Sequence, residues 1–244
     1  MSNNIQPSTT LTEIADGIFR IATWTPEVTP DGFSFNQFLV VADEPLLFHT
    51  GMRGLFPLVA EAVAKVVPVE SLRWITFGHV EADECGSMNM WLAAAPDSQV
   101  AHGALGCDVS LNDLCDRAPR ALAEGEVIDL GGKRVRQIST PHVPHGWEAQ
   151  VLFEETTATL LCGDLFSQGG SSAVTSDDIV GAAVAMEVMG VSSLNPHTGR
   201  ILRSLGDLNP TTLAIMHGPS FQGDGGQALH DLAGEYDKLI ANAA

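Results

Sequence analysis

The chain has 244 residues, 45% of them hydrophobic and 17% charged, so it can bury a full core, and disordered or low-complexity classes are excluded. Twelve basic against 30 acidic residues give a net charge of −18, which repels nucleic-acid backbones and anionic lipid, and no basic stripe offsets it. The longest apolar run, near Met90 to Ala95, is far short of the ~20 residues of a membrane span. The opening MSNNIQPSTT lacks the basic-then-apolar pattern of a secretory leader, so a cytoplasmic protein with neither nucleic-acid nor membrane partners is expected.

In chain order, 17–24, 35–41 and 45–49 read as short strands between proline and glycine turns. Residues 55–66 carry apolar side chains at helical spacing until Val67-Pro68 stops the pattern. A buried strand at 72–77 runs into His79-Val80-Glu81-Ala82-Asp83-Glu84, after which 85–94 has helical composition. Further strands are expected at 99–102, 127–130, 133–139, 150–155 and 159–162, with Gly131-Gly132 as a hairpin turn. Residues 177–189 and 198–205 look helical, 212–216 looks like a strand, and 227–243 is a closing amphipathic helix. Two strand-rich halves, each followed by helices, predict an α/β protein of two sheets packed face to face with helices outside. No repeat or linker divides it, so one domain over 1–244 is expected.

The four cysteines, Cys85, Cys107, Cys115 and Cys162, form no CxxC pair and read as free thiols. The chemistry concentrates at 79–84, where four ionisable side chains leave an apolar strand. Alternation would point His79, Glu81 and Asp83 the same way, and carboxylates so placed repel one another unless a cation intervenes. A solvated acidic turn at a helix N-terminus is the plainer alternative. Three later segments each put a ligand type just past a strand or beside a turn: 140–147 with His142 and His145, 160–166 with Asp164, and 215–219 with His217. His49 ends a strand at LLFHTG, and a place on the same rim would let it touch the ligand loops. His102, His197 and His230 read as surface or capping residues, Asp177-Asp178 as a helix start, and Gly223 to Gly226 as a turn.

The order HxExD…H…D…H resembles the metallo-β-lactamase superfamily and, within it, the oxygen-binding di-iron domain of flavodiiron proteins, standing here without a flavodoxin domain. Glu81 occupies the place of the second histidine in the hydrolases' HxHxDH motif. The resemblance implies the αββα sandwich (metallo-β-lactamase fold). It implies one iron on His79, Glu81 and His145, a second on Asp83 and His217, and Asp164 as the bridge. The family has histidine where Glu84 stands, so Glu84 is expected either to ligate the second iron, the preferred reading, or to support the site from behind. His145 is preferred to His142 because Gly146-Trp147 resembles the turn that follows the family's ligand. Met88, Trp91 and Trp147 are expected to line the pocket.

Three histidines and four carboxylates form a hard, oxygen-rich set that suits iron or manganese better than zinc. Four carboxylates also neutralise two ferrous ions. The leading expectation is a di-iron oxidoreductase that binds dioxygen or nitric oxide and activates or reduces it, with electrons from a separate donor protein. The alternatives are a zinc- or manganese-dependent hydrolase of esters, lactones or phosphoesters and a non-catalytic sensor. The resemblance also implies homo-oligomerisation. No flavin is expected to be bound by this chain.

Overall fold

Period-two burial on both faces of the strands decides the architecture. In Phe33–Val40, Phe35 and Leu39 enter one apolar cluster while Phe38 and Val40 enter another. Val151 and Phe153 likewise face a third cluster, and Leu152 between them faces the second. Strands that are apolar on both sides must be covered on both sides. The computed structural model, which describes residues 8–25 and 32–243, meets that demand as an αββα sandwich. The leader expectation for 1–7 and part of the turn after Trp24 lie outside the described residues.

The first sheet has the order β1 to β7: Ser8–Ala15, Ile18–Thr25, Phe33–Val40, Leu46–Phe48, Trp74–Thr76, Gln99–Gly103 and Arg120–Leu122. Its first four strands are antiparallel and its last three join in parallel. The second sheet uses β8 (Val127–Asp129), β9 (Arg134–Ser139), β10 (Gln150–Glu154), β11 (Thr159–Leu161), β12 (Val174–Thr175), β13 (Thr212–Ala214) and β14 (Ser220–Gln222), in the order β12-β14-β13-β11-β10-β9-β8.

Helices α1 (Phe56–Val63), α2 (Ala82–Cys85), α3 (Met88–Ala94), α4 (Ala104–Gly106) and α5 (Asn112–Leu114) belong to the first half. Helices α6 (Val180–Met186), α7 (Thr198–Gly206) and α8 (Gly225–Ala243) belong to the second. Val59, Val63 and Trp91 pack on the outer face of the first sheet, and Leu202, Leu205, Leu229 and Leu232 on that of the second. Phe38, Phe48, Leu152, Leu161 and Ala214 fill the layer between the sheets.

Most predicted elements appear, with instructive differences. The helix expected over 85–94 is broken because the Ser87 N–H donates to Gly51 O at 2.9 Å and leaves the helical ladder. The helix expected from 177 starts at Val180, since Asp178 Oδ1 accepts the N–H groups of Val180 and Gly181. Gly131 and Gly132 turn the β8–β9 hairpin with φ of 74° and 98°. Strand β1 was not anticipated; its STTLTEIA sequence is largely polar and it lies at the edge of the sheet.

Candidate metal centre

The expected ligand segments leave the strands on one rim: His79 after β5, His145 between β9 and β10, Asp164 after β11, and His217 between β13 and β14. Strand alternation does not align His79, Glu81 and Asp83, which corrects the expectation. Strand β5 ends at Thr76, Glu81 caps α2, and Asp83 lies in the first turn of that helix. Convergence comes from a turn followed by a single helical turn. Gln150 holds this turn to the second sheet: its N–H donates to Gly78 O at 2.8 Å and its Nε2 to Phe77 O at 3.0 Å.

Two half-sites result. His79 Nε2 lies 2.8 Å from Glu81 Oε2, and His145 Nε2 lies 3.2 Å from the same oxygen and 3.3 Å from Asp164 Oδ2. On the other side, His217 Nε2 lies 3.3 Å from Asp83 Oδ2 and 3.3 Å from Asp164 Oδ1. Asp164 thus presents one oxygen to each half. His79, Glu81, His145 and Asp164 each offer one ligand atom within 4.8 Å of the others.

All three imidazoles turn the same nitrogen inward because the other is held. His145 Nδ1 lies 2.9 Å from Val191 O and His217 Nδ1 2.9 Å from Ser34 O. A carbonyl can only accept, so each Nδ1 carries a proton and Nε2 is the nitrogen turned to the centre. His79 Nδ1 faces Glu84 Oε1 at 3.1 Å, while Glu84 Oε2 accepts the His79 backbone N–H at 2.7 Å.

Glu84 is therefore not beside Asp83 and His217, where the preferred reading put it. It is fully buried on the far side of the His79 ring, with His49 Nε2 3.5 Å from Oε1. The ψ of 158° at Glu81 and the short helix turn Asp83 toward the cleft and Glu84 into the protein. Of the four carboxylates expected as ligands, three, Glu81, Asp83 and Asp164, face the cleft, and Glu187 lies on its wall. His49, buried and with Nδ1 3.2 Å from Asn36 O, reaches the centre only through Glu84.

The site attracts positive charge. Burial alone would lower the pKa of His79, but the charges of Glu84, Glu81 and Asp164 outweigh it and push it up to about 11. His217 is pushed up to about 10 by Asp164 and Asp83 against its own burial. The His145 and His79 rings hold the Glu81 carboxyl far below the usual range. Asp83 Oδ1 and Asp164 Oδ1 are buried without a hydrogen-bond partner. Ligand atoms 2.8–3.3 Å apart match neighbouring positions around an ion with bonds of about 2.0–2.2 Å. Buried carboxylate oxygens without a hydrogen bond, Nε2 atoms turned toward the carboxylates and these spacings fit a bound metal ion, most fully at the cluster of His79, Glu81, His145 and Asp164.

A cavity of about 160 Å³ lies over the two halves, walled by Phe33, Pro144, Phe166, Ala183, Met186 and Tyr236. Met88 and Trp91 do not line it; they pack in the core of the first half. Trp147 is 55% exposed, and His142 is also exposed, at a φ of 64°, and neither lines the cavity. His102 corrects a further expectation: it is fully buried against Phe77, and burial lowers its pKa to about 4. Cys162 is buried, and burial with the Glu84 charge raises Cys85 to about 12, so neither favours a thiolate.

Several contributors had no role in the sequence reading. Glu187 Oε1 accepts Ser192 Oγ at 2.6 Å and Tyr236 OH at 2.8 Å, pinning the segment that carries Val191 O. Asn36 Nδ2 donates to Ile215 O and Gly218 O, both at 2.8 Å, and Ser34 Oγ accepts Gly218 N–H at 2.8 Å. The available signal was a polar residue inside an apolar strand, as Asn36 is in FSFNQFLV.

A family profile described as ODP family beta lactamase matches residues 33–197. A hydroxyacylglutathione hydrolase of Acidiphilium cryptum is 33% identical over 146 residues, 57% of this chain and 56% of the hydrolase. Among solved structures, a flavoprotein of Thermotoga maritima superposes with a TM-score of 0.81 at 18% identity, over 95% of this chain and 62% of that one. Rubredoxin oxygen:oxidoreductase of Desulfovibrio gigas gives 0.78 at 17% identity, over 92% and 62%. A 1–254 fragment of a Nostoc diflavin flavoprotein gives 0.75 at 15% identity, over 95% and 98%. At these identities the structural likeness carries the fold. The chain spans little more than half of the hydrolase and under two thirds of the two longer flavoproteins.

Proposed function

From the premise that this chain belongs to the ODP family beta lactamases, we propose that it holds two iron ions and binds dioxygen or nitric oxide between them, reducing or activating the bound molecule. The observation that carries this reading is the division of Asp164, with Oδ2 3.3 Å from His145 Nε2 and Oδ1 3.3 Å from His217 Nε2. One carboxylate facing two separate imidazole and carboxylate sets is an arrangement for two cations. His79, Glu81 and His145 would hold one, Asp83 and His217 the other, with Asp164 shared. A bound ferrous pair supplies two electrons.

The chain's own groups do the rest. Glu84, Val191 O and Ser34 O keep Nδ1 protonated on His79, His145 and His217, so each ring presents a fixed lone pair. With Glu84 turned away, the Asp83–His217 half has fewer protein donors than its neighbour, which leaves room for an external ligand there. The three carboxylates of the set would offset three of the four charges of two divalent ions, with Glu187 on the cavity wall and Glu84 behind His79 adding further negative charge. Phe33, Phe166 and Met186 limit water around it. Complete reduction of dioxygen takes four electrons, so a separate reductase is part of the reading. Loading with iron under anaerobic conditions followed by exposure to oxygen tests it. Two irons per chain and an oxygen-dependent visible absorbance are expected; colourless protein with stoichiometric zinc would defeat it.

Similarity to a hydroxyacylglutathione hydrolase supports a second reading, thioester hydrolysis by a metal-bound hydroxide. Against it, the cavity of about 160 Å³ is below the ~300–1,000 Å³ of ordinary ligand pockets. Turnover of a hydroxyacylglutathione with zinc but not iron would favour this reading over the first.

A further inference from the structure

On β2, residues 20, 22 and 24 project to one face by strand alternation. The register sets Trp24 opposite Ser8 on one side and Ser34 on the other, and Ala22 opposite Thr10 and Asn36. Arg20, Trp24, Ser8, Thr10 and Ser34 therefore share that face, with the short side chain of Ala22 among them. A cavity of about 280 Å³ opens over Ala22, lined by these residues and by Ser171 from the other half of the molecule. It has no lining residue in common with the cavity over the histidines.

The donors here outnumber the acceptors. Arg20 is 1% exposed; its Nη2 donates to Gly218 O at 2.9 Å and lies 3.5 Å from Ser34 Oγ. Its Nε has no hydrogen-bond partner, and Trp24 Nε1 is also buried without one. Burial lowers the Arg20 pKa to about 10, with no acidic neighbour among the described residues working against it. A guanidinium buried without a carboxylate among the described residues is costly. Its planar fork matches the two oxygens of a carboxylate or phosphate group.

We propose that this cavity binds a small oxyanion, through a carboxylate or phosphate group, with Arg20 as its counter-charge and Trp24 Nε1 and the hydroxyls of Ser8, Thr10 and Ser171 as further donors. The site is separate from the proposed metal pair but touches the same loop, since Arg20 and Ser34 both bond to Gly218, the residue after His217.

Calorimetric titration of the full chain with acetate and, separately, with inorganic phosphate tests the proposal, with sodium chloride at equal ionic strength as the control. Saturable binding of at least one oxyanion at millimolar concentration is expected, and the two arms identify the group preferred. Arg20→Gln should weaken it about tenfold or more. Arg20 is buried and its replacement can impair folding, so Thr10→Glu, at an exposed edge position, provides a second arm. Its own carboxylate should occupy the cavity, abolish the added ligand's binding and raise the melting temperature. No binding of either oxyanion at about 10 mM would overturn the proposal. So would binding that is undiminished in both variants, which would place the ligand on the histidine cluster.

Discussion

Behind His79 the buried carboxylate of Glu84 carries out at a distance what a ligand would do by contact: it fixes which imidazole nitrogen is free. Replacing it with glutamine keeps the volume but weakens the hold on Nδ1. Glu84→Gln is expected to lower metal affinity about 10–100-fold, read by competition with a chromogenic chelator; unchanged affinity would reduce Glu84 to a packing role. Asp164 differs in kind, because each of its oxygens serves a different half. Asp164→Ala should bring metal content from two ions per chain to one or none by elemental analysis, and two retained ions would refute its bridging place. These roles were unequally legible. His79, Glu81, Asp83, His145, Asp164 and His217 stood out because a ligand type just past a strand has few other uses. The position of Glu84 depended on the rotation of a single helical turn, which no spacing rule reveals.

Among the elements, loops bear the strain that places the site. Gly218 has a φ of 94°, and a Cβ there would lie 2.7 Å from Gln168 O. Gly218→Ala should cost about 1–3 kcal/mol and displace His217, so metal content and the denaturation midpoint should fall together. The β10–β11 hairpin depends on Glu154, which accepts Thr156 N at 3.0 Å, Thr157 N at 2.9 Å and both threonine hydroxyls at 2.6 Å. Burial pushes its pKa up, but these four bonds outweigh burial and hold it below the usual carboxylate range. A depressed folded-state pKa stabilises the protein above the ordinary range, and that contribution is lost as pH falls through the folded value. Glu154→Gln should therefore cost about 1–3 kcal/mol near neutral pH in urea unfolding, with the gap to the parent closing in acid. Elements with an apolar rhythm, such as β3 and α8, were readable in advance. Strand β1 was not, because its polar edge sequence forms only when β2 offers a partner.

Across the whole molecule the six converging side chains come from both halves: His79, Glu81 and Asp83 from the first, His145, Asp164 and His217 from the second. On the proposed reading, ions held by this set would bind the folded state alone and clamp one sheet to the other. Chelation should thus lower the melting temperature, by about 2–4 °C for each kcal/mol of binding lost, and the drop should be smaller in Asp164→Ala. No helix among the described residues is long and apolar enough to cross a membrane. The inter-sheet layer of Phe38, Phe48, Leu152 and Leu161 sets the distance over which the two halves meet. The division of donors between the halves also imposes an order on biosynthesis. His217 is translated after the other five of these side chains, so on the proposed reading a growing chain would complete both coordination sets only once the second layer has been made, and loading with metal would come after.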